Sequence, residues 1–124
     1  MTRKILIIDD NRDIVQLEKN RLEANHYEII TATDGVEGMV YARTLKPDLI
    51  LLDIIMPNLD GYTLYRQLKN DPDTKSIPVI VATTRSQIKQ MFKVEGFDEE
   101  FFLAKPFSMD ELLGKIEKIF NVTK

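Results

Sequence analysis

The chain has 124 residues, of which 44% are hydrophobic and 30% are charged, a balance typical of a globular domain with one core. It has no cysteine, which excludes disulfides and thiolate chemistry, and its apolar runs are too short to cross a membrane. The net charge of −3 argues against a nucleic-acid-binding surface. We therefore expect a cytoplasmic protein without nucleic acid or membrane partners.

Five short apolar segments, most of them rich in β-branched residues, predict five strands. They lie at residues 4–9, 27–32, 48–53, 77–83 and 100–104. Most are continuously apolar rather than alternating, which is typical of strands that are covered on both faces.

Segments with helical spacing follow each strand. They lie near residues 11–25, 36–45, 60–70 and 86–95, with a last helix after residue 108. In the first helix, one broad apolar face is expected to contain Ile14, Val15, Leu17 and Leu22. Ser108 and Glu111 form an S-x-x-E capping box that predicts the start of the last helix.

The regular alternation of strands and helices predicts an α/β fold. Such a chain forms a doubly wound parallel sheet, here of five strands, with five helices distributed over both faces. The whole chain, residues 1–124, is expected to form one domain with a core from about residue 4 to residue 121. Ligands of such sheets bind beyond the carboxyl ends of the strands.

Chemically active side chains stand at these strand ends. Asp9 and Asp10 end the first strand, Asp53 the third and Thr83 the fourth, while Lys105 follows the fifth. If strands one and three are neighbours, three carboxylates converge on one edge of the sheet and need a counter-charge, and Mg²⁺ is the cation that suits carboxylates together with a phosphate. An acid cluster, a metal, a lysine and a hydroxyl together indicate phosphoryl transfer. Taken alone, the first acid pair could also be a solvated strand end with a helix cap.

Four motifs carry a family resemblance. They are ILIIDDN at 5–11, DIIMPNLDG at 53–61, VATT at 81–84 and FLAKPF at 102–107. In this order and spacing, the chain resembles the receiver domain of two-component signalling, the phosphoacceptor module of response regulators. The resemblance implies a flavodoxin-like sheet of strand order 2-1-3-4-5.

The resemblance also implies a role for each matching residue. Asp53 would accept a phosphoryl group from a histidine kinase or a histidine phosphotransfer protein. Asp9, Asp10, Asp53 and the backbone carbonyl of Ile55 would hold Mg²⁺ or Mn²⁺. Lys105 would contact the phosphoryl oxygens.

Two further residues would transmit the signal. Thr83 would move towards the phosphoryl group, and Phe102 would turn inward into the vacated space. The surface formed by the fourth helix, fifth strand and fifth helix would then change for partner binding. The resemblance further implies a cis peptide bond before Pro106.

Two other functional classes use similar residues or the same fold. A phosphorylation-independent interaction module with the same fold is the alternative, although such modules commonly lose acids or the lysine, which are all present here. A phosphatase with an aspartyl nucleophile needs a second acid two residues after the first, and Ile55 occupies that place. We therefore expect no enzyme activity beyond the chain's own phosphorylation and dephosphorylation. Because the chain ends directly after the last predicted helix, we expect either a stand-alone regulator or a receiver taken from a longer protein.

Overall fold

A computed structural model of the chain describes residues 2–53, 61–83 and 101–122. The strands are β1 (Lys4–Ile8), β2 (Glu28–Ala32), β3 (Leu49–Asp53), β4 (Val79–Thr83) and β5 (Phe102–Ala104). The helices are α1 (Arg12–Ala24), α2 (Gly35–Leu45), α3 (Gly61–Asn70) and α4 (Met109–Val122). The helix predicted near 86–95 lies outside the described residues, so α4 is the last of the helices predicted from the sequence.

The five strands form one parallel sheet in the order β2-β1-β3-β4-β5. This confirms the predicted fold class and strand order. The chain adds β2 on one side of β1 and then crosses over to add β3, β4 and β5 on the other side, so the direction in which strands are added reverses at β1. Beyond the carboxyl ends of β1 and β3 the sheet therefore has its topological switch point, where α/β proteins place their ligands.

Alternate residues of each strand enter two separate cores. Ile8 and Leu52 face α2 and α3, and a cluster on that side also contains Met39, Leu64 and Leu68. On the opposite face, α1 and α4 cover a second cluster, whose strand members include Ile5, Ile7, Leu49, Leu51 and Ile80. Because both faces are covered, the strands are apolar at nearly every position.

Side-chain caps fix where the helices begin. The Oδ1 atom of Asn11 accepts a hydrogen bond from the Ile14 N–H at 3.2 Å, and this bond starts α1 directly after the acid pair. The predicted capping box of α4 is confirmed. Ser108 Oγ accepts from the Glu111 N–H at 3.1 Å, and Glu111 Oε1 accepts from the Ser108 N–H at 3.3 Å.

The apolar face predicted for α1 is partly wrong. Val15 and Leu22 are buried as expected, but Ile14 is 41% exposed and Leu17 is 64% exposed. The buried stripe follows the spacing i, i+3, i+7 and has Glu18 as its middle member, 4% exposed. Ile14 and Leu17 each precede a buried position by one residue, which rotates them by about 100° towards solvent.

None of α1 to α4, the helices within the described ranges, combines the length and apolar character that a membrane-spanning helix requires.

Gly38 lets α2 approach β1 closely, which leads to a prediction for its replacement. A Cβ atom at Gly38 would lie 2.7 Å from Ile8 Cδ1, 3.1 Å from Cγ1 and 3.2 Å from Cγ2, so the whole side chain of Ile8 would have to shift. Ile8 is fully buried directly before Asp9. We expect Gly38→Ala to lower the free energy of unfolding by about 1 kcal/mol or more, despite alanine's better helix propensity.

Gly114→Ala is the matched control, because a Cβ atom there meets no atom within 4 Å. It should raise stability by about 0.5–1 kcal/mol, and chemical denaturation that ranks the two variants the other way would contradict this account.

Candidate functional site

The carboxyl ends of β1 and β3 bring three carboxylates together. The two strands are neighbours, with Ile8 paired to Leu52, so Asp9 and Asp53 follow from adjacent positions. One carboxylate oxygen from each of Asp9, Asp10 and Asp53 lies within 4.8 Å of the others. The sheet thus joins acids that are 43 or more residues apart in the sequence.

The three acids differ in their environments. Asp9 and Asp53 are buried, at 5% and 6% exposure, whereas Asp10 is exposed to solvent. The Asp9 backbone N–H donates to the Ala32 carbonyl at 3.1 Å, and Asp9 Oδ1 accepts from the Asn11 N–H at 2.9 Å. Both bonds hold Asp9 against the sheet edge.

Burial raises the pKa of Asp9 to about 6. The hydrogen bond from the Asn11 N–H and the positive charge of Lys105 lower this pKa, while the negative charge of Asp53 raises it further. A carboxylate that is costly to keep ionised in the free protein gains from any cation that binds beside it.

Lys105 supplies one such positive charge. Its Nζ donates to Asp53 Oδ1 at 3.0 Å, and the Asp53 side chain in this ion pair is only 7% exposed. The Lys105 backbone N–H donates to the Thr83 carbonyl at 2.8 Å, which ties the lysine to the end of β4. The Lys105–Pro106 peptide bond is cis.

The other residues named from the sequence are placed as follows. Thr83 is the last residue of β4 and is fully buried. Phe102 begins β5 and is 3% exposed, so its side chain already lies inside the core with Val81 and Leu64. Ile55 lies in the segment 54–60, outside the described residues.

The donor set of this site fits a hard divalent cation. Three carboxylate oxygens converge, two of them on buried residues, and oxygen is the ligand that Mg²⁺ and Mn²⁺ prefer. Among the ion pairs of the described residues, Lys105 is paired with Asp53 and with neither Asp9 nor Asp10. The remaining negative charge is what a bound cation would compensate.

Glu18 is a site residue that the sequence did not reveal. It lines a cavity of about 550 Å³ between α1 and the segment after β5, together with Asp9, Asp53 and Lys105. Burial raises the pKa of Glu18 to about 7, the charges of Asp9 and Asp53 raise it as well, and that of Lys105 lowers it. Hydrophobic patterning assigns a glutamate to solvent, so no signal in the sequence pointed to this position.

These features define an α/β domain with a cluster of three acids and a lysine at its switch point, and comparison with known proteins identifies its family. The family model of the response regulator receiver domain matches residues 5–117. The chain therefore belongs to the response regulator receiver domain family of two-component systems.

The relatives include regulators of transcription. The chain is 38% identical over 122 residues to the DNA-binding dual master transcriptional regulator RpaA of Synechocystis, covering 97% of this chain and 50% of that protein. It is 36% identical to the alkaline phosphatase synthesis transcriptional regulatory protein PhoP of Bacillus subtilis, covering 98% of this chain and 50% of that protein. The chain thus spans about half the length of these curated relatives.

Solved structures show the same architecture. The receiver domain of the Francisella response regulator 1452 matches with a TM-score of 0.87 and 30% identity, over 99% of this chain and 100% of that one. The chemotaxis response regulator CheY4 of Vibrio cholerae matches with a TM-score of 0.84 and 29% identity, over 96% of this chain and 99% of that one.

Proposed function

We propose that the chain is the phosphoacceptor of a two-component phosphorelay, in which Asp53 accepts a phosphoryl group from a phosphohistidine. The donor is a histidine kinase or a histidine phosphotransfer protein. The observation that carries the proposal is the contact of 3.0 Å between Lys105 Nζ and Asp53 Oδ1, beside the acids Asp9 and Asp10. Such an array of acids and one lysine is what charge-stabilised phosphoryl transfer needs.

In the transfer step, a carboxylate oxygen of Asp53 forms a bond to phosphorus as the bond from phosphorus to the donor's imidazole nitrogen breaks. The electron pair of the broken bond stays on the imidazole, and Asp53 becomes an acyl phosphate. Lys105 already lies against the attacking carboxylate, so its ammonium group is placed to stabilise the negative charge of the phosphoryl oxygens. Hydrolysis of the acyl phosphate with water restores Asp53 and releases phosphate.

Mg²⁺ or Mn²⁺ would be held by Asp9, Asp10, Asp53 and the backbone carbonyl of Ile55. When bound, the ion neutralises the repulsion between the carboxylate and the phosphoryl oxygens. The role of this chain is to hold the acids in place. For Asp9 it does so through two hydrogen bonds: the Asp9 backbone N–H donates to the Ala32 carbonyl, and Asp9 Oδ1 accepts from the Asn11 N–H.

Thr83 and Phe102 are the proposed signal-transmitting residues. Thr83 stands on the strand next to Asp53, and its carbonyl binds the Lys105 N–H at 2.8 Å, so a shift at this position also affects the lysine. Phe102 pairs with Val81 in the neighbouring strand, two residues before Thr83. The output is a changed surface around β5 and the last helix that binds a partner protein. The transcriptional activities in the names of the relatives belong to those longer proteins.

The test is phosphorylation of the purified chain by acetyl phosphate, followed by intact mass. We expect one phosphoryl adduct on the wild type in the presence of Mg²⁺, none after chelation, and none on Asp53→Asn. Asp48→Asn is the matched control, because Asp48 lies at the opposite end of β3 and binds the Lys4 N–H. It should be modified like the wild type. Retention of the adduct by Asp53→Asn would refute the assignment of the acceptor, and a wild type that is never modified would favour the phosphorylation-independent module.

A further inference from the structure

The cavity beside α1 has mostly apolar walls. Its lining includes Ile7, Leu51 and Ala82 of the sheet, Leu17 of α1 and Phe107 after β5. Leu17 is 64% exposed, so the cavity is reached from solvent along α1. Its volume of about 550 Å³ lies in the range of sites that enclose small organic ligands.

The carboxylate of Glu18 lines this cavity without a bonding partner among the described residues. Glu18 is 4% exposed, and no hydrogen bond or ion pair engages its carboxylate within residues 2–53, 61–83 and 101–122. In this part of the chain no fully enclosed side-chain oxygen lacks a partner, so the carboxylate oxygens of Glu18 are in contact with the open space of the cavity. A buried carboxylate in apolar surroundings is unfavourable unless a cation or a donor meets it. Glu18 is also not needed for the acid cluster, which consists of Asp9, Asp10 and Asp53.

The charges of the cavity favour a cation. Its lining includes three carboxylates, Asp9, Glu18 and Asp53, against one ammonium group, that of Lys105. Lys105 is already bound to Asp53, and a metal ion at the acid cluster would compensate Asp9. Glu18 is then the carboxylate of this lining that still lacks a counter-ion.

The apolar walls favour an organic cation over a metal ion. A divalent cation needs several oxygen ligands, and Glu18 is not part of the group of convergent carboxylate oxygens, which consists of Asp9, Asp10 and Asp53. We propose that this cavity binds a small organic ammonium ion with an apolar body, for which Glu18 is the counter-ion. The ammonium group donates to the Glu18 carboxylate, and the body covers Ile7, Leu51 and Phe107. Burial raises the pKa of Glu18 to about 7, and a bound ammonium group would favour the ionised form.

The test uses 2-phenylethylamine as the probe, with the full ¹⁵N-labelled chain at saturating Mg²⁺ and no phosphodonor. Saturable shifts are expected for the backbone amides of Leu17, Glu18 and Phe107. The neutral analogue 2-phenylethanol has the same apolar body and should bind roughly tenfold more weakly or worse, because it lacks the charge. Equal binding of the two compounds by the wild type would overturn the proposal without any variant.

Variants of α1 test the role of the carboxylate directly. Glu18→Gln should weaken binding of the amine by roughly tenfold to a hundredfold and leave binding of the alcohol unchanged. Glu23→Gln carries the same charge change on an exposed position of α1 and should bind like the wild type. Unaltered amine affinity in Glu18→Gln, or no saturable shifts in the wild type at low-millimolar amine, would overturn the proposal. Because no phosphodonor is present, the result does not depend on whether Asp53 is a phosphoacceptor.

Discussion

Lys105→Met is expected to slow phosphorylation of Asp53 by about a hundredfold or more at saturating Mg²⁺. Lys105 Nζ lies 3.0 Å from Asp53 Oδ1, so in the proposed transfer its charge would act where the phosphoryl oxygens arrive. Methionine keeps an unbranched side chain of similar length but removes this charge. The measurement is the rate at which the phosphoryl adduct appears with acetyl phosphate.

Binding of Mg²⁺ separates this effect from a loss of structure. Removal of the lysine leaves the negative charge of the acids less compensated, so calorimetry should find that Lys105→Met binds Mg²⁺ as tightly as the wild type or more tightly. Lys75→Met makes the same change at an exposed lysine before β4, at the opposite end of the sheet, and should react normally. If Lys105→Met lost both metal binding and phosphorylation, the effect would be structural. If its rate stayed within about threefold of the wild type, Lys105 would not be the phosphoryl-binding group.

Glu18→Leu is expected to stabilise the fold, and more strongly as the pH rises. The pKa of Glu18 is raised from 4.5 to about 7 in the folded protein, so the folded state binds a proton that the unfolded state has already released. The wild type therefore loses stability between about pH 4.5 and about pH 7, and leucine removes this loss. Above this range the gain should approach about 3 kcal/mol, the equivalent of the shift.

Denaturation in the presence of a chelator, at about pH 5 and about pH 8, measures this difference. Glu18→Gln should give a smaller gain, because it removes the charge but leaves a buried amide. Glu23→Leu, at an exposed position of the same helix, should change little at either pH. A gain that is equal at both pH values would show that packing alone explains it, and a loss at about pH 8 would show that Glu18 is satisfied in the fold.

The parallel sheet and the placement of the acids at its strand ends could be predicted from the sequence, because few physical rules determine them. Continuous apolar strands that alternate with helices favour a parallel sheet with helices on both faces. Asp9, Asp10 and Asp53 then lie at the carboxyl ends of its strands, where ligands bind. The capping box of Ser108 and Glu111 is equally local and is found as predicted. The capping box depends only on neighbours in the sequence, whereas the adjacency of β1 and β3, which joins the acids, was implied by the family resemblance of the four motifs.

Glu18 and the cavity could not be predicted in this way. Which residues of α1 are buried depends on the rotation of the helix about its own axis, and hydrophobicity favoured the rotation that buries Ile14 and Leu17. The structure buries Val15 and Leu22 as expected, but it leaves Ile14 and Leu17 exposed and buries Glu18. A cavity is determined by the packing of side chains from segments that are distant in the sequence, and local sequence patterns do not predict that packing.

The site also owes its dimensions to the hydrogen bonds of the sheet. Adjacent strands stand about 4.8 Å apart whatever their side chains. Asp9 comes directly after β1 and Asp53 ends β3, the neighbouring strand. The pairing of these strands therefore sets how far apart the backbones of Asp9 and Asp53 lie, and the outer faces of the helices can diverge without altering that spacing. A domain built in this way can keep one chemistry while its surface is fitted to many different partners.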